Sequence, residues 1–246
     1  MMTKSNLTSQ YQFTIVVPIY NETETLLRLG KELQSFLVQA PVSSCVLLVN
    51  DGSADNSLDG IRDLCKLYPH FYYLSFAKNC GLSAALKAGI DYCESPYLGY
   101  IDADLQTSPM DFNLLLADAP DYELVTGVRA NRNDSGWRRF QSKFANGFRR
   151  MMTGDKALDT GCPLKVMHTS AAKQIPFFKG MHRFLPAMIS LQDGKMKQIE
   201  VRHFPRLEGK SKFSMRNRFW GPLADCFAFR WMKKRYIRYT VAEKNV

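Results

Sequence analysis

Phe13-Thr-Ile-Val-Val-Pro-Ile-Tyr-Asn-Glu22 and Cys45-Val-Leu-Leu-Val-Asn-Asp-Gly-Ser53 decide the architecture of this 246-residue chain. Each is a short, almost continuously apolar run that stops on polar turn residues. Between them, Thr25 to Val38 sets Leu26, Leu29, Leu33, Phe36 and Leu37 at helical spacing. A strand, a helix and a strand of these lengths form a right-handed βαβ unit. Strands apolar on both faces belong in a sheet that helices cover on both sides. The pattern continues with a helix over Ser57 to Tyr68, a strand over Phe71 to Phe76 and a small-residue helix over Ser83 to Cys93. Strands over Tyr97 to Ile101 and Glu123 to Val128 follow. The expectation is an α/β fold with a mostly parallel sheet.

From Gly136 the pattern turns helical, then irregular around Asp159-Thr-Gly-Cys162. Lys197 to His203 alternates as a late edge strand does, and Phe219 to Tyr236 closes as a basic, aromatic-rich helix. Hydrophobic residues at 46% and charged residues at 23% exclude general disorder. The polar start MMTKSNLTSQYQ has no secretory h-region, and no apolar run approaches the length of a membrane span. Six scattered cysteines without a C-x-x-C pair read as reduced thiols in a cytosolic chain.

The net charge of +10 is concentrated in two places. Residues 205–239 carry a local +8 and residues 129–150 a local +6, which leaves the rest at −4. Two basic blocks on an acidic body point to an anionic partner met at defined places. No nucleic-acid module accompanies them, and no G-x-G-x-x-G follows the first strand, so nucleic-acid and dinucleotide chemistry are set aside. Arg149-Arg150 and Lys233-Lys234-Arg235 read as solvated faces, and His168, His182 and His203 as structural histidines.

In open α/β sheets ligands sit beyond the carboxyl ends of the strands. The acidic residues of this chain fall there: Glu22 after the first strand, Asp51 after the second, Asp102 and Asp104 after the fourth. Asp51-Gly-Ser alone is ordinary turn chemistry. Asp102-Ala-Asp104 crowds two carboxylates together, and a divalent cation compensates their repulsion. Asp104 with Gln106 nearby offers hard oxygen ligands suited to Mg²⁺ or Mn²⁺.

Pro18-Ile-Tyr-Asn-Glu22, Val49-Asn-Asp-Gly-Ser53, Asn79-Cys-Gly-Leu-Ser83 with Gly89, and Asp102-Ala-Asp-Leu-Gln106 resemble the ordered motifs of the family-2 inverting glycosyltransferases, which have a GT-A fold. Arg183-Phe-Leu-Pro186 and Arg206-Leu-Glu-Gly-Lys-Ser-Lys212 are similar to motifs of the polyprenyl-phosphate branch of that family. The resemblance covers about residues 13–216. It implies a nucleotide-sugar pocket framed by Pro18, Tyr20 and Glu22, with Asp51 on the base or ribose. Asn79 and Gly81 line the same pocket, with Asp102 and Ala103 near the donor. Asp104 and Gln106 would hold the cation on the diphosphate. Arg129, Arg138 and Ser142 would hold the acceptor phosphate, on a segment that includes Trp137 and Asn146, while Arg206 and Lys212 close over the donor. Two positions depart from the family pattern: Asn50 stands where a second acid is frequent, and Thr160-Gly-Cys162 replaces Ser-Gly-Phe.

The expected division is a catalytic domain over 12–204, a mobile basic loop over 205–216 and a basic aromatic tail over 217–246. The expected reaction moves a sugar from a UDP- or GDP-linked donor to undecaprenyl or dolichyl phosphate, with inversion. A phosphomonoester is already anionic near neutral pH, so it needs cations to place it rather than a base. The competing reading is transfer to a saccharide hydroxyl, which requires a catalytic carboxylate near Asp159. In the tail, aromatic anchors beside clustered cations suit a helix in the headgroup region of an anionic leaflet, which puts the chain at the cytoplasmic face of a membrane as a peripheral protein. Packing of that face on the domain or on a second copy is the other reading.

Overall fold

The first βαβ unit forms as the sequence reads. In the computed structural model, β1 (Phe13–Ile19) and β2 (Ser44–Asn50) pair in parallel and α1 (Leu26–Gln39) joins them. The described residues are 8–130, 147–205, 220–237 and 241–243. Next come α2 (Ser57–Leu67), β3 (Phe71–Ser75), α3 (Leu82–Tyr92) and β4 (Tyr97–Tyr100). Short helical turns and α4 (Phe112–Leu116) lead to β5 (Leu124–Arg129). Residues 147–153 are helical (α5). They are followed by β6 (Lys165–His168), α6 (Thr169–Lys173), α7 (Leu185–Leu191), β7 (Met196–Val201) and α8 (Trp220–Arg235).

The seven strands lie in the order β3-β2-β1-β4-β6-β5-β7, with β7 at an edge. All pairs are parallel except those of β6, which runs against both β4 and β5. The sequence reading missed β6, a four-residue strand directly after an irregular turn. Alternate strand residues feed two cores. Phe13, Ile15, Val17, Val46 and Leu48 pack with Leu29, Phe36 and Phe112 on one face. Val16, Leu47, Val49 and Leu98 pack with Leu86, Ile90, Met188 and Phe229 on the other. Helices therefore cover both faces of the sheet, which is why its strands are apolar throughout.

The strand order reverses between β1 and β4, which is where a ligand crevice is expected in an open α/β sheet. The β1–β4 ladder runs from Phe13↔Tyr97 to Val16↔Tyr100 and then stops, because β4 turns away. The last residues of β1 thus have no partner strand on that side. Pro18 is tolerated in a central strand because no ladder donor is needed there.

Phe112 closes the first core by meeting Phe13 edge-on at 5.2 Å and Phe36 at 5.7 Å between centroids. Phe112→Ala is expected to cost about 3–5 kcal/mol, read as a lowered denaturant midpoint with unchanged slope. A loss below 1 kcal/mol would show that the three rings do not form a tight core.

Candidate active site

Three loops converge at the carboxyl edge of the sheet. The loop after β1 turns through Asn21, whose φ is 51°. It is clamped to the loop after β2 by Asn21 N–H donating to Ser53 Oγ (2.9 Å), Glu22 N–H donating to Ser57 Oγ (2.8 Å) and Asn21 Oδ1 accepting from Ala54 N–H (2.7 Å). Tyr20 is left partly exposed above this clamp. Asn50, at the position where the family often has an acid, is buried; its amide donates to Ser75 Oγ and accepts from Ser53 N–H.

Asp51 is buried, and its carboxylate organises the third loop. It accepts from Cys80 N–H (2.7 Å), Gly81 N–H (2.8 Å) and the Asn79 amide (2.9 Å). Gly52, at φ 62°, lets this happen: a Cβ there would lie 2.3 Å from the Lys78 carbonyl carbon. Asp51, Asn79 and Gly81, which the resemblance groups in one pocket, are therefore bonded to one another. The same loop reaches further. Ser83 Oγ shares a 2.8 Å hydrogen bond with His182 Nδ1 and accepts from Gly180 N–H (3.1 Å). Burial pushes His182 down to about 3, so it stays neutral and structural, as expected.

At the end of β4, burial alternates. Ile101, Ala103, Leu105 and Thr107 are buried, while Asp102, Asp104 and Gln106 stay partly exposed. Leu105 adopts a left-handed φ of 52° with its side chain in the core, and Asp104 Oδ1 accepts from Gln106 N–H (3.2 Å). The two acids and the amide are thus the groups this turn offers to the crevice. Asp102 Oδ1 accepts a 2.6 Å hydrogen bond from the Tyr100 hydroxyl. Burial first, then the neighbouring Asp104 carboxylate, raises Asp102 to about 6. Negative charge crowded to that degree fits a divalent cation, and the donor set is hard oxygen. Among the described residues no three His, Cys, Asp or Glu side chains converge on one point.

Arg129, at the end of β5, meets Asp159 at two points: Nε to Oδ2 at 2.7 Å and Nη2 to Oδ1 at 2.9 Å. Its backbone N–H adds a third bond at 3.3 Å. Gly161 permits the approach, since a Cβ there would lie 2.9 Å from Nη2. Burial alone would raise Asp159, but the guanidinium holds it below the usual carboxylate range. Cys162, at the family's Phe position, is fully buried against Gly127 and Val201. That departure is therefore a matter of core packing.

The segment after β7 is bolted to the same edge. Arg202 donates from Nε (2.8 Å) and Nη2 (2.6 Å) to Asp111, and Gln106 O accepts from Phe204 N–H (2.9 Å) and pairs with His203 Nδ1 (3.1 Å). Arg138, Ser142, Arg206 and Lys212, with Trp137 and Asn146, lie outside the described residues. One basic residue, Arg149, differs from its reading as solvated. Arg149 is buried, ion-paired with Asp155 and donating to Ala157 O (2.9 Å). Lys233 donates to Thr153 O (2.9 Å), satisfying the carboxyl end of α5. Sequence reasoning did not single out Lys165, Tyr100 or Asp111. The signal for Lys165 was a lone cation inside the apolar run Pro163-Leu-Lys-Val-Met167.

The profile of glycosyl transferase family 2 matches residues 14–177. A dodecaprenyl-phosphate galacturonate synthase of Rhizobium johnstonii is 30% identical over 214 residues, 85% of this chain and 63% of that protein. An undecaprenyl-phosphate 4-deoxy-4-formamido-L-arabinose transferase of Pseudomonas syringae is 30% identical over 203 residues, 82% of this chain and 60% of that one. The chain thus spans about three fifths of the length of these curated relatives. Among solved structures, glucosyl-3-phosphoglycerate synthase from Mycobacterium tuberculosis superposes with a TM-score of 0.66 at 12% identity, over 92% of this chain and 81% of the other. A mannosyltransferase from Pyrobaculum calidifontis, solved with GDP-mannose and Mn²⁺, gives 0.62 at 13% identity, over 94% and 66%. The fold is the GT-A fold that the motifs imply.

The Asp51 bonds carry a direct consequence. Asp51→Ala should cost about 1–3 kcal/mol and raise amide exchange at residues 79–83 ahead of the β1–β2 core. Exchange that rises uniformly, or not at all, would show that Asp51 does not organise that loop.

Proposed function

This chain belongs to glycosyl transferase family 2, and we propose that it transfers a sugar from a nucleoside diphosphate to a polyprenyl phosphate with inversion at the anomeric carbon. The observation that carries this reading is the two-point Arg129–Asp159 pair. Transfer to a hydroxyl needs a base near Asp159, and Asp159 is held ionised, occupied and weakly basic. A phosphate acceptor brings its own negative charge and needs no such base. The relatives named for dodecaprenyl and undecaprenyl phosphate support the same acceptor class.

In this reading the nucleoside diphosphate occupies the crevice between β1 and β4. Tyr20, Glu22 and the loop fixed by Asp51 belong to its β1 side, and the turn after β4 borders the other. Asp104 and Gln106 would hold a divalent cation, Mg²⁺ or Mn²⁺, with Asp102 expected beside the sugar. The cation supplies Lewis-acid stabilisation of the departing diphosphate. The acceptor oxygen attacks C1 in line from the opposite face. Arg138 and Ser142 are the groups expected to grip the acceptor phosphate, and the Arg206–Lys212 loop is expected to close over the donor. Arg129, expected beside them, already meets Asp159 at two points.

The helix α8 fits delivery of a lipid acceptor. It packs inward through Cys226 and Phe229, with Phe229 stacked on Phe184 at 5.8 Å and Asp225 3.7 Å from Arg183. Outward it presents Phe227 and Trp231, with Arg235 5.1 Å above the Trp231 ring and Lys234 exposed nearby. Among the described residues no helix is long and apolar enough to cross a membrane. Aromatic rings beside cations suit the headgroup zone of an anionic leaflet, and in this reading α8 meets the membrane at its cytoplasmic face.

The test is a transfer assay with undecaprenyl phosphate in detergent, Mn²⁺ or Mg²⁺, and labelled UDP- and GDP-sugars. Chelator-sensitive label in the lipid extract is the expected result, and label appearing only on a saccharide would refute the acceptor. Asp104→Ala is expected to keep its melting temperature while metal-dependent nucleotide binding and turnover fall to background; retained binding would remove Asp104 from the cation site. Replacing Phe227 and Trp231 together by Ser should weaken sedimentation with anionic vesicles at least about tenfold without unfolding the protein. Unchanged sedimentation would take α8 out of membrane contact.

A further inference from the structure

Lys165 ranks among the largest fully buried side chains described, in the company of Phe13, Phe36 and Phe112. It sits on β6 in the middle of the sheet, opposite Tyr100 of β4 and Thr126 of β5. An ammonium group there carries a heavy desolvation cost, whereas a methionine of similar length would fill the same space without it. Its direct partners are carbonyls rather than a carboxylate. Nζ donates to Cys162 O and reaches Thr160 O at 3.5 Å, and it lies 5.9 Å from the centroid of the Tyr100 ring.

Those partners belong to two different halves of the site. Thr160 and Cys162 form the turn that follows Asp159, and Cys162 N–H closes that turn on Asp159 O at 3.4 Å. Tyr100 is the residue whose hydroxyl donates to Asp102. Arg129–Asp159 therefore stands on one side of the Lys165 head group and Tyr100–Asp102 on the other. Both carboxylates also feel its charge.

We propose that Lys165 is a positioning residue for the transfer: its buried ammonium fastens the turn behind Asp159 to the Tyr100–Asp102 pair. Acceptor side and donor side thereby keep one mutual geometry. The proposal rests on the glycosyl-transfer reading above for its kinetic consequence, but the tie itself is a property of the fold. Without the ammonium, two inward-facing carbonyls lose their donor and the turn relaxes. The separation between attacking and leaving groups then loosens, while the nucleotide pocket, built by Asp51, Asn79 and Gly81, is left as it was.

The experiment compares Lys165→Met with the full-length parent chain. Hydrogen exchange at residues 157–164 should rise about tenfold or more with the β1–β2 core unchanged. With undecaprenyl phosphate and the donor sugar, kcat should fall about 10²-fold while the affinity for Mn²⁺ and nucleoside diphosphate stays within about twofold. Unchanged exchange and kcat overturn the proposal, as does a loss of nucleotide affinity matching the loss of kcat. Lys165→Gln keeps a smaller polar head, so it is expected to fold and to give the same pattern at reduced size; parental values for it also overturn the proposal. If the parent chain moves no sugar to any polyprenyl phosphate, the acceptor reading fails, and the exchange pattern alone decides the tie.

Discussion

The ion pair between Arg129 and Asp159 is the constraint on which the site's chemistry depends. It joins the end of β5 to the turn that feeds β6, and both side chains are largely withdrawn from water. Separating such a pair would strand a charge, so it acts as a fixed feature rather than a mobile one. Its consequence is chemical. In the proposed reading the Asp159 carboxylate, already committed to Arg129, does not serve as a base, and the acceptor is a nucleophile that arrives charged.

Around that pair the described charges nearly balance. Asp102, Asp104 and Asp159 face Arg129 and Lys165, which leaves a small negative excess at the Asp102–Asp104 turn where a cation is expected. Among the described residues, the cations of the basic blocks divide into two kinds. Arg129 and Arg149 are ion-paired internally, and the exposed Lys233 ties α8 to Thr153 O. Other cations of α8, such as Lys234 and Arg235, are exposed. Net charge alone therefore does not say how many cations stay available to an anionic partner.

Much of the fold was legible because its strands are apolar and its turns polar, which is what a sheet buried on both faces demands. The strand-end acids were legible for the same reason: little else places Glu22, Asp51, Asp102 and Asp104 at one edge. β6 was not. Four residues carry no usable period, and Lys165 at its start breaks the apolar run that would have announced it. The bonding of Asp51 to residues 79–81 was equally hidden, because 28 residues separate it from Asn79 and only the βαβ crossover brings them together. Motif resemblance placed those residues in one pocket; it could not say that they hold each other. The Arg202–Asp111 bolt, across 91 residues, had no sequence signal at all.

The central claim is that the acceptor supplies its own anion. Undecaprenyl phosphate and undecaprenol, offered to the same protein with the same labelled donor and metal, differ only in that group. The account predicts label in the lipid extract with the phosphate and none above background with the alcohol. Comparable transfer to the alcohol would mean that a base operates in this site after all, and would contradict the role assigned to the Arg129–Asp159 pair.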